Sequence, residues 1–239
     1  MEPAADPRRV LVVGAHPDDL DFGCSGTVAL WTQQGKTVNY CLVTSGEKGF
    51  EKNLPVEERI RIREEEQRAA ARLVGVQEVI FLREPDGEVV NTPVLRGRIV
   101  EVIRRTRPEA IICTDPADRR FDNFYRYHPD HRAVAEAVYD ALYPACGNRF
   151  FYPHLLDQGL LPHRVKEIFF GPLTAEPNFY VDISETIDLK LKALECHRSQ
   201  LVDRDGIRDF IRDWAREVGA PKSIPFAEAY RRIAMPEGE

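Results

Sequence analysis

The sequence has no apolar run of membrane-spanning length, no C-x-x-C pair, no excess of basic charge and no internal repeat. A bilayer core needs about 20 consecutive apolar residues, so no segment is a candidate spanning helix. The five cysteines, at 24, 41, 113, 146 and 196, are odd in number and carry no paired spacing. That pattern gives no disulfide framework, and Cys24, Cys41 and Cys113, set in or beside apolar runs, are expected as buried thiols in a reducing compartment. The start, MEPAADPRR, lacks an apolar signal-peptide core, and a cytoplasmic location is expected. With 33 Lys and Arg against 39 Asp and Glu, the formal charge is −6, which argues against a nucleic-acid partner. No low-complexity tract or linker divides the chain, so one domain is expected over 1–239, with a core of about 9–200 and a helical tail over 201–239.

What is present suits a globular enzyme. Apolar residues make up 43% and charged residues 30%, an ordinary balance. A chain of 239 residues buries enough surface to fold without a structural metal, so a metal bound here is expected to serve chemistry. Arg59, Arg61 and Arg63 alternate with Glu57, Glu58, Glu64, Glu65 and Glu66 and read mostly as a solvated helix face.

Periodicity predicts strands at Val10–Gly14, Val38–Thr44, Glu78–Leu82 and Ala110–Thr114, separated by helices at Cys24–Gln34, Val56–Val74 and Pro93–Arg105. A helix over His131–Leu142, strands at Val165–Phe170 and Asn178–Ile183, and a helix over Ser184–Ser199 follow. The segment from Asp205 to Ile233 reads as helical. Short apolar strands alternating with helices imply an α/β fold: a Rossmann-like, doubly wound, mostly parallel sheet with helices on both faces.

Two motifs carry chemistry. Ala15-His16-Pro17-Asp18-Asp19 follows the first strand, where open parallel sheets bind ligands. It lacks the glycines of a dinucleotide loop, and two carboxylates would repel a pyrophosphate. His16 and one aspartate can supply two zinc ligands, while the other aspartate is free to take a proton from activated water. The alternative is a helix cap beside a hydrogen-bonded turn histidine. His128-Pro129-Asp130-His131 follows the fourth strand. One of its histidines can complete a His-Asp-His set, and the other can face an oxyanion or protonate a leaving nitrogen. Asp130 is suited to orienting one of the imidazoles. Here the alternative is an aspartate cap with two incidental histidines.

With G-A-H-P-D-D at 14–19, T-S-G-E-K-G at 44–49, R-E-E-E-Q-R-A-A at 63–70, H-P-D-H at 128–131, V-D-I at 181–183 and K-x-x-A-L-x-x-H-x-S-Q at 190–200, the sequence resembles the PIG-L/LmbE-like N-acetylglucosaminyl deacetylases. The resemblance runs from about Val10 to Gln200. It implies a hydrolase of N-acetyl amide bonds with one Zn2+ per chain on His16, Asp19 and His131, another divalent metal such as Fe2+ being an option. It further implies Asp18 as general base, and His128 as oxyanion partner tuned by Asp130. Some members place a tyrosine two positions before the equivalent of His128. Here Arg126 stands there, between Tyr125 and Tyr127.

Arg63 resembles a family position that binds an anionic group or sugar hydroxyls, with surface solvation as the alternative. Glu47 is a sugar-hydroxyl candidate, or a turn residue. His197 reads as a core or helix-end histidine. His154 and His163, in a proline-rich stretch suited to a lid or subunit contact, receive no role. The expected partner is a small N-acetylated sugar, with no nucleic acid or membrane, and a homo-oligomer is left open. Rival readings are a metal-dependent phosphoesterase, a non-catalytic sugar- or metal-binding relative, or a protein scaffold.

Overall fold

The computed structural model describes residues 6–50, 53–118, 128–201 and 204–235. Seven strands lie in one sheet: β1 (Arg9–Gly14), β2 (Thr37–Thr44), β3 (Glu78–Glu84), β4 (Ala110–Cys113), β5 (Glu167–Phe170), β6 (Phe179–Asp182) and β7 (Ala227–Ala234), in the order β3-β2-β1-β4-β5-β7-β6. The five strands β3 to β5 pair parallel, and β7 runs antiparallel to both β5 and β6. The helices are α1 (Asp19–Gly23), α2 (Ser25–Gln33), α3 (Val56–Leu73), α4 (Pro93–Thr106), α5 (Pro129–Asp140), α6 (His154–Asp157), α7 (Ile187–Leu194) and α8 (Arg204–Gly219). None of the described helices is long and apolar enough to cross a membrane.

The alternation of side chains along β1 builds both layers. Val10 and Val12 join Tyr40, Leu42 and Phe169 in a core closed by α2, α3, α7 and α8. Leu11 and Val13 point the other way, into a core with Cys41, Ile111 and Phe170 closed by α4 and α5. A strand buried on both sides must be apolar throughout, and this one is. Helix α4 starts where its sequence says: Thr92 Oγ1 accepts from Leu95 N at 3.1 Å, and Pro93 opens the first turn. Cys24, Cys41, Cys113 and Cys146 are buried and all five cysteines are free. Burial pushes the Cys24, Cys41 and Cys113 thiols up, away from nucleophilic use.

The tail corrects one expectation. It is helical only through Lys222, α8 being followed by a single 3-10 turn over Ala220–Lys222; Ala227–Ala234 is strand β7, inserted between β5 and β6, so the core extends well past residue 200. Alanine, glutamate and arginine favour a helix locally, but pairing on both sides overrides that weak preference.

Strand β7 also fastens the start of α2. Glu228, 5% exposed, accepts from Gly26 N (3.1 Å) and Thr27 N (2.8 Å) at the start of α2, and from the buried Lys190 Nζ at 2.7 Å. A carboxylate there offsets the positive end of the helix. Glu228→Ala strands a buried ammonium and should cost about 3–5 kcal/mol of unfolding free energy in urea titration. A cost under about 1 kcal/mol would mean that Lys190 finds water instead.

The sheet order places the functional edge. The chain leaves β1 towards β2 on one side and leaves β4 towards β5 on the other, so the turns after β1 and β4 part and open a crevice between them.

Candidate metal centre

The turn after β1 is built to present side chains rather than to cap a helix. Thr44 anchors Ala15 O through its backbone N (2.8 Å) and its hydroxyl (2.9 Å). Asp18 stands at the start of α1 and its carbonyl accepts from Asp21 N and Phe22 N, but its side chain makes no capping bond. Its backbone lies at φ 91°, a conformation that costs a residue with a side chain on the order of 1–3 kcal/mol. The carboxylate turns instead towards Arg63, whose Nη1 lies 3.4 Å from Oδ2. Burial raises the Asp18 pKa more than the Arg63 guanidinium lowers it. Asp19 curls back, and its Oδ2 accepts from His16 N at 2.8 Å.

The second motif opens α5, with Pro129 in its first turn. His128 Nδ1 accepts from Asp130 N at 3.3 Å, which leaves Nε2 to carry the proton. Burial, then the neighbouring His16 and His131, lower the His128 pKa. Asp130 is fully buried; its carboxylate accepts from Gly87 N (2.7 Å) and Val89 N (3.1 Å) and faces His16 Nε2 at 3.1 Å. Its carboxylate therefore orients His16 of the first motif, while its backbone amide holds His128 and its charge partly offsets the fall in the His128 pKa.

The two motifs, more than 100 residues apart in sequence, meet. His16 Nδ1 and His131 Nε2 face each other at 3.2 Å. Asp19 Oδ2 lies 3.4 Å from the first and Asp19 Oδ1 lies 3.1 Å from the second. Donors held about 2.0–2.2 Å from one tetrahedral ion are spaced by about 3.3–3.6 Å. The donor types suit a divalent ion, and at 3.1–3.4 Å the atoms stand at or slightly inside that spacing; His16 also groups closely with His128 and His131, and with Asp86 and Asp130, as donor sets that could hold an ion. The other face of His16 is closed as well, since Nε2 lies 3.1 Å from Asp130 Oδ2 and 3.1 Å from Asp86 Oδ1. A carboxylate on the far nitrogen is the usual support of a ligating imidazole. Burial opposes charge on His16, yet Asp130, Asp19 and Asp86 together outweigh it and push its pKa up to about 12. For Asp19, burial is overcome by His131 and His16, and its pKa falls well below the usual carboxylate value. Asp86, too, is held below its ordinary value by His16 and the Lys48 amide against the opposing effect of burial.

Asp86 was absent from the sequence-based set. Its signal was Pro85-Asp86-Gly87, a turn directly after β3 at the same sheet edge as the two motifs. Glu47, expected near sugar hydroxyls, accepts from Asp86 N through Oε1 at 2.9 Å, and Lys48 N donates to Asp86 Oδ2 at 2.7 Å. The T-S-G-E loop thus braces the Asp86 turn.

Arg63 is 3% exposed, which removes it from the solvated face expected of its cluster. Its Nη2 donates to Pro17 O at 2.6 Å, so the guanidinium clamps the first motif. Arg61 does lie on the exposed face, paired with Glu65. His163 is tied to Pro108 O at 2.6 Å, before β4 and away from the functional edge, and His154 opens α6. Tyr125, Arg126 and Tyr127 lie outside the described residues.

Comparison with known proteins identifies the family. The family model PIG-L, described as GlcNAc-PI de-N-acetylase, matches residues 11–142, which span both motifs. The chain belongs to the PIG-L family. Within and around it, the sequence is 34% identical over 200 residues to diacetylchitobiose deacetylase of Thermococcus kodakarensis, covering 83% of this chain and 72% of that protein. It is 29% identical over 203 residues to a probable N-acetyl-alpha-D-glucosaminyl L-malate deacetylase 2 of Bacillus anthracis, covering 82% and 83%. The solved structure of N,N'-diacetylchitobiose deacetylase from Pyrococcus horikoshii superposes with a TM-score of 0.87 at 29% identity, covering 95% of this chain and 84% of that one.

One glycine of this PIG-L site is tied to its charge arrangement. Gly46 has φ 65°, and a Cβ there would lie 2.7 Å from Arg63 Nη2. Gly46→Ala should therefore lower the unfolding free energy by about 1–3 kcal/mol in denaturant titration. Unchanged stability would show that the Arg63 clamp is slack.

Proposed function

We propose that this chain is a zinc-dependent deacetylase, acting as one domain, that hydrolyses the acetamide of an N-acetylglucosamine-type sugar or conjugate. The observation that carries the reading is the meeting of His16, Asp19 and His131 donor atoms within 3.1–3.4 Å, with the Asp18 carboxylate in the same turn. The named activities of its relatives, on diacetylchitobiose and on N-acetylglucosaminyl malate, supply the substrate class.

His16, Asp19 and His131 hold the ion. The chemistry an ion supplies there is Lewis-acid polarisation of the amide and acidification of water. Asp18 takes the proton of the attacking water, and its raised pKa suits a base that must later give the proton up. His128, with Nε2 as its donor, faces the acyl oxygen as negative charge builds. Protonated Asp18, or His128, passes a proton to the departing sugar amine. Asp86 and Asp130 keep the His16 ring in register from behind. Arg63 and Glu47, beyond the clamping roles described above, lie on the elements that border this turn and are the first candidates to meet sugar hydroxyls.

The test is amine release from N-acetylglucosamine, N,N'-diacetylchitobiose and N-acetylglucosaminyl malate, before and after chelation. Chelator should abolish release and zinc should restore it. Release that survives complete metal removal would overturn the proposal. Asp18→Asn should keep its metal while losing roughly 10²–10⁴-fold in kcat. A near-normal rate would end the assignment of Asp18 as the base.

A further inference from the structure

Helix α3 presents two polar residues, Arg63 and Gln67, one turn apart on the face it packs against the first motif. Arg63 meets the Asp18 carboxylate, and Gln67 meets its backbone. Gln67 Oε1 accepts from Asp18 N at 2.9 Å. That bond fixes the amide orientation, so Nε2 must face away, and it donates to Asp21 Oδ2 at 2.8 Å. The same oxygen accepts from His197 Nε2 at 2.8 Å. Gln67, Asp21 and His197 are each fully buried. Among the described residues nothing bonds His197 Nδ1, which leaves the proton on the nitrogen that faces Asp21.

His197 is itself pinned. It lies just beyond the end of α7, and two residues on, Ser199 binds Glu66 through its N (2.8 Å) and its hydroxyl (2.7 Å). Glu66 and Gln67 are adjacent on α3, so the end of α7 is fastened to the helix that also reaches Asp18. A line of three hydrogen bonds, the first two buried and the last part-buried, therefore runs from the end of α7, through Asp21 and Gln67, to the one backbone amide of the first motif held at positive φ.

We propose that His197, Asp21 and Gln67 form a positioning relay that holds Asp18 in its left-handed backbone and so aims the carboxylate at the metal centre. The proposal rests on Asp18 being the base. None of the three is needed as a ligand. Their contribution is orientation: without a fixed acceptor for its N–H, Asp18 relaxes towards an ordinary backbone and its carboxylate swings away. Misplacement of a reacting group by about 1 Å is enough for losses near 10²-fold.

The experiment uses the zinc-loaded full chain, with amine release from N,N'-diacetylchitobiose, metal per chain and thermal midpoint measured for each variant. Gln67→Met keeps the volume but removes the acceptor, and should lower kcat roughly 10–100-fold with KM and metal content unchanged. His197→Phe should do the same, and His197→Gln, which restores a donor near Nε2, should regain most of the loss. In the Asp18→Asn background, Gln67→Met should add no further loss, because the relay has nothing left to aim. An equal further loss in that background, or wild-type kcat in both single variants, would overturn the relay.

Wild-type turnover by Asp18→Asn alone would instead overturn the base assignment, a separate result. If a single variant is too unstable to assay, a crystal structure of the other decides. An Asp18 still at positive φ with its carboxylate unmoved would contradict the proposal.

Discussion

One imidazole ties this site together. His16 is gripped on both ring nitrogens: Nε2 sits against Asp86 and Asp130, so Nδ1 has only one direction left, towards Asp19 and His131. The grip joins three separate pieces of chain at the carboxyl edge of the sheet. The turn after β1 supplies the ring, the turn after β3 supplies Asp86, and the start of α5 supplies Asp130. Asp130 then accepts from Gly87 N and Val89 N, which binds the second and third pieces to one another. Three carboxylates converge on a small, largely buried volume, and that arrangement is stable only with positive charge among them.

The surrounding structure absorbs what the site costs. Asp18 holds a backbone conformation that side chains avoid, and it is surrounded on all sides by fixed partners: Pro17 before it, Arg63 on its carboxylate, Gln67 on its amide and the first turn of α1 on its carbonyl. Strain of this kind persists where neighbours over-determine the position. The tight seat of Arg63 against Gly46 has the same logic, since a side chain at 46 would occupy the guanidinium's space. Loop after β2, helix α3 and turn after β1 are thus joined through Arg63 and Gln67.

Much of this was legible in residue order. Strands β1, β2 and β4 showed as apolar runs because they are buried on both faces, while the edge strand β3 is only partly buried, and the motifs' positions after strands pointed to the carboxyl edge of the sheet before any coordinates. H-P-D-D and H-P-D-H stood out because histidines are few and both motifs follow strands. Asp86 was hidden because Pro-Asp-Gly is also an ordinary turn, and only the third dimension brings it to His16. Gln67, inside a run of charged residues, carries no pattern that separates a buried amide from a solvated face. The same run misled about Arg63. Strand β7 was lost because Ala-Glu-Ala-Tyr-Arg-Arg favours a helix in isolation, although Pro221 and Pro225 ahead of it mark a break.

The central claim is that a divalent ion sits between His16 Nδ1, Asp19 and His131, and anomalous X-ray diffraction at the zinc edge from zinc-loaded crystals tests it most directly. The account predicts one strong peak about 2.0–2.2 Å from each of those three groups, with His16 Nε2 turned to Asp86 and Asp130. A peak seated instead among His16 Nε2, Asp86 and Asp130, or no peak at this edge of the sheet, would contradict it.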